Sequence, residues 1–380
     1  MSKKFDVCVR GGGVVAHALA LTLARERLRV ALVRNTPPAP GRHDIRAYAL
    51  NAASRALLEG LRAWPEGTAA TPVTAMLIGE REHPASVHFD AASQGEPLAW
   101  IVDVPALEQR LADAVGFQGG ITVLDEAPPA ALTVICEGKR SSSRAAFGFE
   151  FDTRPYPHTA VAARLRCELP HEGVARQWFS EGDIMAWLPM DGADGHRVAL
   201  VWSVQHAHAR ELLALSPENL AAKVRAAGGS ALGQMALEGA PAGWPLELSH
   251  AKRWVMRQDG AGIALAGDAA HAMHPLAGQG LNVGLADVAE LARVMHEREY
   301  WREPGDLRLL RRYERARQAD VAAMGAVTDG LYGLFAHTDS RLQALRRWGM
   351  ERFEHSGPLK RWVTAQATGA ARAAHLRTGH

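Results

Sequence analysis

The chain has 380 residues, 47% hydrophobic and 22% charged, with a formal net charge of +2. This is the profile of a globular protein long enough to bury a substantial core in one large or two intermediate domains. So mild a charge, with no block of Lys and Arg interleaved with aromatics, sets nucleic acid aside as a partner. The three cysteines, Cys8, Cys136 and Cys167, are widely spaced and read as buried thiols in a reducing compartment, with no disulfide and no metal site. No run of about 18 apolar residues occurs to cross a bilayer. "MSKKFDVCV" enters a strand with no signal-peptide core, so the expected location is cytoplasmic.

In chain order, residues 5–34 read as strand, glycine turn, helix and strand, with "VALV" closing the unit. The spacing of Gly11, Gly13 and Ala16 is that of GxGxxG, with Ala where only close helix–strand packing is required. Such second strands usually end in an acid that accepts from an adenosine ribose, but here Arg34 follows Val33. Arg34 has three readings: stacking of its planar guanidinium on the nucleotide, selection of a 2′-phosphate in an NADP site, or a solvated side chain with no role. "TPPAPGRHD" is a loop, and "NAASRALLEGLRAW" a helix capped by Asn51. Residues 72–90 read as strands, and 105–115 as an amphipathic helix with Pro in its first turn. "LTVICEG" is a buried strand running into a turn at Glu137 and Gly138. From about 154 to 205 the pattern changes to alternating strands, the mark of a separate sheet domain. A helical stretch over 217–237 precedes a strand at 262–268, and helices are predicted over 283–298, 306–335 and 341–368.

The most informative segment is "GIALAGDAAHAMHPLAGQGLNVGLADVAELARVM". A strand ends at Gly267 and Asp268, a turn runs through Pro275, and "AGQGLNVG" opens a helix. Gly278, Gly280 and Gly284 permit close backbone approach to a flat ligand. The free N–H groups at the helix start favour partial negative charge, and Asp268, at the carboxyl end of a strand, is placed to accept from a sugar hydroxyl. An acceptor for a ribityl chain beside a helix-end dipole is what a flavin requires.

On these residues the chain resembles the class A flavoprotein monooxygenases, relatives of para-hydroxybenzoate hydroxylase, and within them the UbiH-type ubiquinone-biosynthesis hydroxylases. "GDAAHAMHPLAGQGLNVGLAD" is similar to the second FAD fingerprint of that family. "RAYALNAASRALL", "YPHTAVAARLRCELPHEGVARQWF", "LLRRYERARQADVAAM" and "TDGLYGLF" extend the likeness over nearly the whole chain. The resemblance implies an α/β fold: a Rossmann-like FAD-binding domain (1–70, 97–152 and 250–300), a substrate-binding sheet domain (71–96 and 153–249) and a C-terminal helical region (301–380). It implies FAD as cofactor, NAD(P)H as co-substrate, and dioxygen-dependent hydroxylation of an aromatic ring, probed best with a prenylated phenol. The NADP reading of Arg34 leaves the 262–284 motif without a purpose, so FAD is the expected dinucleotide.

Cofactor candidates are Gly11, Gly13, Ala16, Arg34, Arg46 (for the pyrophosphate), Glu137, Gly267, Asp268, Gly278, Gln279, Gly280, Leu281 and Asn282. His274, Pro275 and Gly278 form the turn expected to face the flavin ring, and His271 flanks it; no general base is assigned. Tyr48, Tyr156, His158 and Trp187 are candidates for the substrate side, with ordinary packing as the competing reading of each. Three positions depart from the family pattern: Arg34, Glu137 for an aspartate, and Val104, where a polar or basic residue is usual. They keep open a second reading, a catalytically degenerate FAD-binding or assembly subunit; an NADP-dependent reductase is the third. The basic, aromatic-bearing tail from 341 to 380 is a candidate for peripheral contact with an anionic membrane or a ubiquinone-biosynthesis complex.

Overall fold

The computed structural model describes residues 5–34, 44–80, 86–93, 95–180, 182–272 and 280–336, with backbone alone at 80, 86, 93 and 326–336. Short apolar runs without alternation form a parallel layer buried on both faces. Its six strands lie in the order Val255–Gln258, Ala261–Leu265, Ala130–Ile135, Phe5–Arg10, Val30–Val33, Ile121–Leu124. Only Val255–Gln258 runs antiparallel to its neighbour. Val7 lies opposite Val30 on one side and Leu132 on the other. The helix Val14–Arg25 packs against both Val104–Phe117 and Gly280–His296, and the shared core holds Leu19, Leu23, Leu107, Leu111, Val288 and Leu291.

A second, nine-stranded sheet is built around the long strand Phe151–Cys167, flanked by Ala242–Ala251 and Arg197–Gln205. Alternation gives it two faces. Val161, Ala163, Leu165, Trp187, Leu200 and Trp202 are buried beneath the helices His206–Leu213 and Pro217–Gly228. The opposite face carries Leu188, Met190 and Ala199, packed on Val73, Leu98 and Ile101. Val73 and Ile101 belong to a three-stranded antiparallel sheet of Ala47–Leu50, Ala99–Asp103 and Ala70–Val73. The other face of that sheet delivers Leu50, Trp100 and Val102 to the core of the parallel layer. The small sheet therefore bridges the two large ones.

The helix expected over 217–237 stops at Gly228. A Cβ at Gly228 would sit 2.2 Å from Cζ2 of Trp187, and Gly229 has φ +76°. The chain turns away there, and Met235–Leu237 pairs as a strand with Phe151–Cys167. All three cysteines are free and buried.

Asp287, in the buried stripe of Gly280–His296, is wholly enclosed. Its Oδ2 accepts from the Gly267 amide at 2.8 Å and lies 2.7 Å from Nε2 of His271, while Oδ1 accepts from Nε of Arg317 at 2.7 Å. Arg317 also donates to the Val283 carbonyl and to Asp320. Trp254 lies along the His271 ring, with centroids 4.9 Å apart, and Tyr313 donates to the Leu265 carbonyl at 2.9 Å. Burial pushes the Asp287 carboxyl upward, but His271 and Arg317 outweigh it and hold the group below the usual carboxylate range.

Removing one partner of a buried ion pair strands the other charge, so Asp287→Ala is expected to cost about 3–5 kcal/mol in urea unfolding; a loss within experimental error contradicts this role. A lowered folded pKa means stability that is present above the unfolded carboxyl value, about 4, and lost as pH falls through the lower folded value. The acid limb of the stability curve below about pH 4 should therefore be shallower in Asp287→Asn.

Candidate cofactor site

The carboxyl ends of the parallel strands converge on one cleft, the usual ligand position in such sheets. Phe5–Arg10 leaves the sheet at Gly11, whose φ is +145° and whose Cβ, if it had one, would stand 2.5 Å from the Cys136 carbonyl oxygen. Only glycine permits that approach. Gly13 caps Val14–Arg25 with no side-chain hydrogen bond, and a Cβ there would meet no atom within 4 Å. An uncapped helix start with open space before it suits a diphosphate. Ala16 is fully buried at the helix–strand contact.

The second motif meets the first at Val15. A Cβ on Gly267 would lie 3.3 Å from the Val15 methyls, and one on Gly284 would lie 2.9 Å from Val15 Cγ2. The starts of Val14–Arg25 and Gly280–His296 thus sit side by side at the mouth of the cleft, and Asp268 stands next to their junction. Asp268 is exposed to solvent and has no hydrogen-bond partner among the described residues. Desolvation nevertheless pushes its carboxyl upward, with His271, Lys139 and Arg46 opposing. Its vacant acceptor oxygens fit the hydroxyls of a ribityl chain, so the residues present suit FAD.

Tyr48 and Arg46 face the same cleft. The half-buried Tyr48 phenol is pushed up by burial and by Asp268, with Arg46 opposing. Arg46 is exposed and grips Asp44 through Nε at 2.9 Å, with Glu108 at 3.5 Å. It can turn to a phosphate at the expense of a solvent-screened pair, which is a weak interaction. Arg34 is exposed at the end of Val30–Val33.

Four candidates occupy other places. Glu137 turns inward: Ser141 Oγ, Ser143 Oγ, the Ser143 amide and Arg10 Nε all donate to its carboxylate. Its extra methylene is spent tying the turn to the helix Ser142–Ala146, so its part in the site is to shape the strand end. The Asn282 side chain is likewise engaged, its Oδ1 accepting from the Asn51 amide and Ser54 Oγ and its Nδ2 donating to the Ala49 carbonyl. It fastens the second motif to the small sheet. Leu281 is buried in the core. Trp187 is 1% exposed and packs edge-on against Trp178 at 4.6 Å on the helix-covered face of the large sheet; alternation places it away from the cleft.

Tyr156 and His158 are buried on the same large strand. Tyr156 packs with Ala160 and Leu246; burial first, then His206, holds His158 below the usual imidazole range. His271 belongs to the Asp287 network. His274, Pro275, Gly278 and Gln279 lie outside the described residues, as does the tail from 341 to 380.

The sequence reading missed Arg164 and Arg317. Arg164 donates to Asp103 Oδ2 at 2.8 Å and to the carbonyls of Asp44, Ile45 and Arg46 at 3.3–3.4 Å. It clamps the segment that carries Arg46 and Tyr48 to the large sheet. An arginine at an inward position of an alternating strand was the available signal.

A family described as FAD binding domain matches residues 125–328. The ubiquinone hydroxylase UbiL of Rhodospirillum rubrum is 32% identical over 97% of this chain and 90% of its own length. The 3-demethoxyubiquinol 3-hydroxylase of Escherichia coli is 30% identical over 96% of this chain and 98% of its own. Among solved structures, p-nitrophenol 4-monooxygenase from Pseudomonas putida superposes with a TM-score of 0.76 at 17% identity, covering 98% of this chain and 99% of that one; it shares the fold.

Hydrogen bonds to a charged acceptor contribute about 1.5–3 kcal/mol each. Asp268→Ala is therefore expected to weaken FAD binding at least about tenfold and to yield protein without flavin on purification. Flavin content equal to that of the unaltered chain would remove Asp268 from the site.

Proposed function

The chain belongs to the FAD-binding family that includes the ubiquinone hydroxylases, and on that footing we propose that it hydroxylates the aromatic ring of a ubiquinone-biosynthesis intermediate with NAD(P)H and dioxygen. The observation that carries this reading is the junction of the two glycine motifs at Val15, with Asp268 vacant beside it. Gly13 and the start of Val14–Arg25 would hold the diphosphate of FAD, with Arg46 in reach of it, and Asp268 the ribityl hydroxyls. The chemistry supplied by bound FAD is the two-electron oxidation of NAD(P)H and the activation of dioxygen; the protein binds, orients and excludes water.

We place the substrate side at the edge of the packed seam between the small sheet and the large one. Ala47, Ala49 and Ala99 of the small sheet and Ala186 and Val201 of the large sheet line it, only partly buried. Small aliphatic side chains at such a seam leave room for an apolar ring with a hydrocarbon substituent. Ser203 adds one polar point: it alternates with the helix-covered Trp202 and Val204, is buried, and its hydroxyl has no hydrogen-bond partner among the described residues. Tyr48 lies close enough to Asp268 and Arg46 for both charges to act on its phenol. No transmembrane helix is present among the described residues; contact of the tail with a membrane or a biosynthetic complex is part of the proposal.

The test is turnover of prenylated phenols by the FAD-loaded chain under isotopically labelled dioxygen. The expected result is NAD(P)H oxidation coupled to a product bearing one labelled oxygen on its ring. NAD(P)H oxidation that yields peroxide alone across the series, or none at all, would favour the assembly-subunit reading.

A further inference from the structure

The helix Leu307–Ala336 has two opposite faces. Leu309, Leu310, Tyr313, Arg317 and Val321 are buried, in the core or in the Asp287 network. At about 100° per residue, Arg308, Arg311, Arg312 and Arg315 fall within one arc of about 100° on the other side, and all four are exposed. Ala319 and Ala322, which continue this arc, are small and exposed. No acid interrupts the stripe. Glu314, on its flank, accepts from the Trp254 amide at 2.7 Å, and Asp320 accepts from Arg317 at 2.7 Å. Arg308, Arg311 and Arg315 make no ion pair among the described residues.

The turn that precedes the helix adds an apolar element. Tyr300 is 92% exposed and Trp301 66%, and their rings meet edge to face with centroids 4.9 Å apart. Glu299 holds this turn against the stripe: Arg312 lies 3.6 Å from its carboxylate, and Arg302 donates to it at 2.9 Å. Arg302 also donates to Asp306 at 2.8 Å. Glu303 is exposed and is the acid of this turn with no ion pair among the described residues. Two large aromatic rings left in water forgo the gain of burial, and exposed apolar groups rimmed by charge mark an interaction surface.

We propose that the Tyr300–Trp301 turn and the arginine stripe of Leu307–Ala336 form a docking surface for an anionic phospholipid bilayer. Charge and shape both favour a membrane over an acidic protein. From Arg308 to Ala322 the stripe runs about 21 Å along the helix axis, and its small alanines let the guanidinium groups reach a plane of phosphates. Tyr and Trp rings, apolar in body and polar at the tip, settle at headgroup depth. The surface uses no residue of the 341–380 tail. It goes beyond the hydroxylase reading and does not depend on it.

The experiment is flotation of the whole chain with vesicles of phosphatidylcholine alone and of equimolar phosphatidylcholine and phosphatidylglycerol. The unaltered chain should bind the anionic vesicles at least about tenfold more tightly at low salt and lose that preference as salt is raised. Arg308→Gln, Arg311→Gln and Arg315→Gln combined, all exposed changes that leave the core untouched, should weaken that binding at least about tenfold. Brominated phosphatidylcholine in the anionic vesicles should quench tryptophan fluorescence, and Trp301→Phe should abolish the quenching. Equal binding to the two vesicles overturns the proposal. So does binding that survives the triple arginine variant, or quenching that persists in Trp301→Phe. No binding to either vesicle overturns it as well and leaves the stripe to an acidic protein. Flavin content in these variants should match that of the unaltered chain, so a failure of the FAD reading is registered separately.

Discussion

The site depends on one enclosed carboxylate. Asp287 has no contact with solvent, and every polar group around it is committed: the Gly267 amide, His271 and Arg317. Through these bonds a helix residue fixes the end of the strand Ala261–Leu265, the turn that follows it, and the long helix Leu307–Ala336 in a single arrangement. A buried ion pair contributes little net stability compared with apolar packing. Its effect here is geometric, because the amide it grips belongs to the residue before Asp268. The network sets where the cleft carboxylate stands while leaving that carboxylate itself without a hydrogen-bond partner among the described residues.

Two further restraints align the remaining walls with that floor. The contacts of Val15 with Gly267 and Gly284 bring the starts of two helices together at distances that leave no room for a Cβ. Asn282 and Arg164 then join the small sheet to both sides, the first holding the Ala49–Asn51 backbone and the second the carbonyls of residues 44–46. Tyr48 and Arg46 are thereby carried to the cleft from a sheet that belongs to neither large layer. The apolar seam beside them is filled by Leu188, Met190, Val73, Leu98 and Ile101, with Ala47, Ala49, Ala99 and Ala186 packed against that cluster.

Much of this was legible in the sequence, for physical reasons that differ from element to element. Continuous apolar runs at 7–9, 30–33 and 132–135 admit little but buried strands, and the order of glycines around Gly11 and Gly284 encodes close approach whatever surrounds it. Asp268 stands out in the sequence as a candidate because its position just past a strand end defines its surroundings. For Trp187, Glu137 and Asn282 the direction of the side chain is set by partners that the sequence does not order. The face of Trp187 follows from the register with Leu200 and from Gly228, some forty residues away. Glu137 is captured by serines four and six positions on. Arg317 and Asp287 lie on separate helices, and only the packed structure pairs them.

The central claim is that the junction of the two glycine motifs, floored by Asp268, holds FAD. The most direct measurement is the absorption spectrum of the purified chain before and after FAD is added and the excess removed. The account predicts a retained flavin band, shifted from that of free FAD, which NAD(P)H bleaches without air and air restores. A chain that emerges without flavin after exposure to saturating FAD would contradict it, and the fold would then have to be read as a framework that has lost its cofactor.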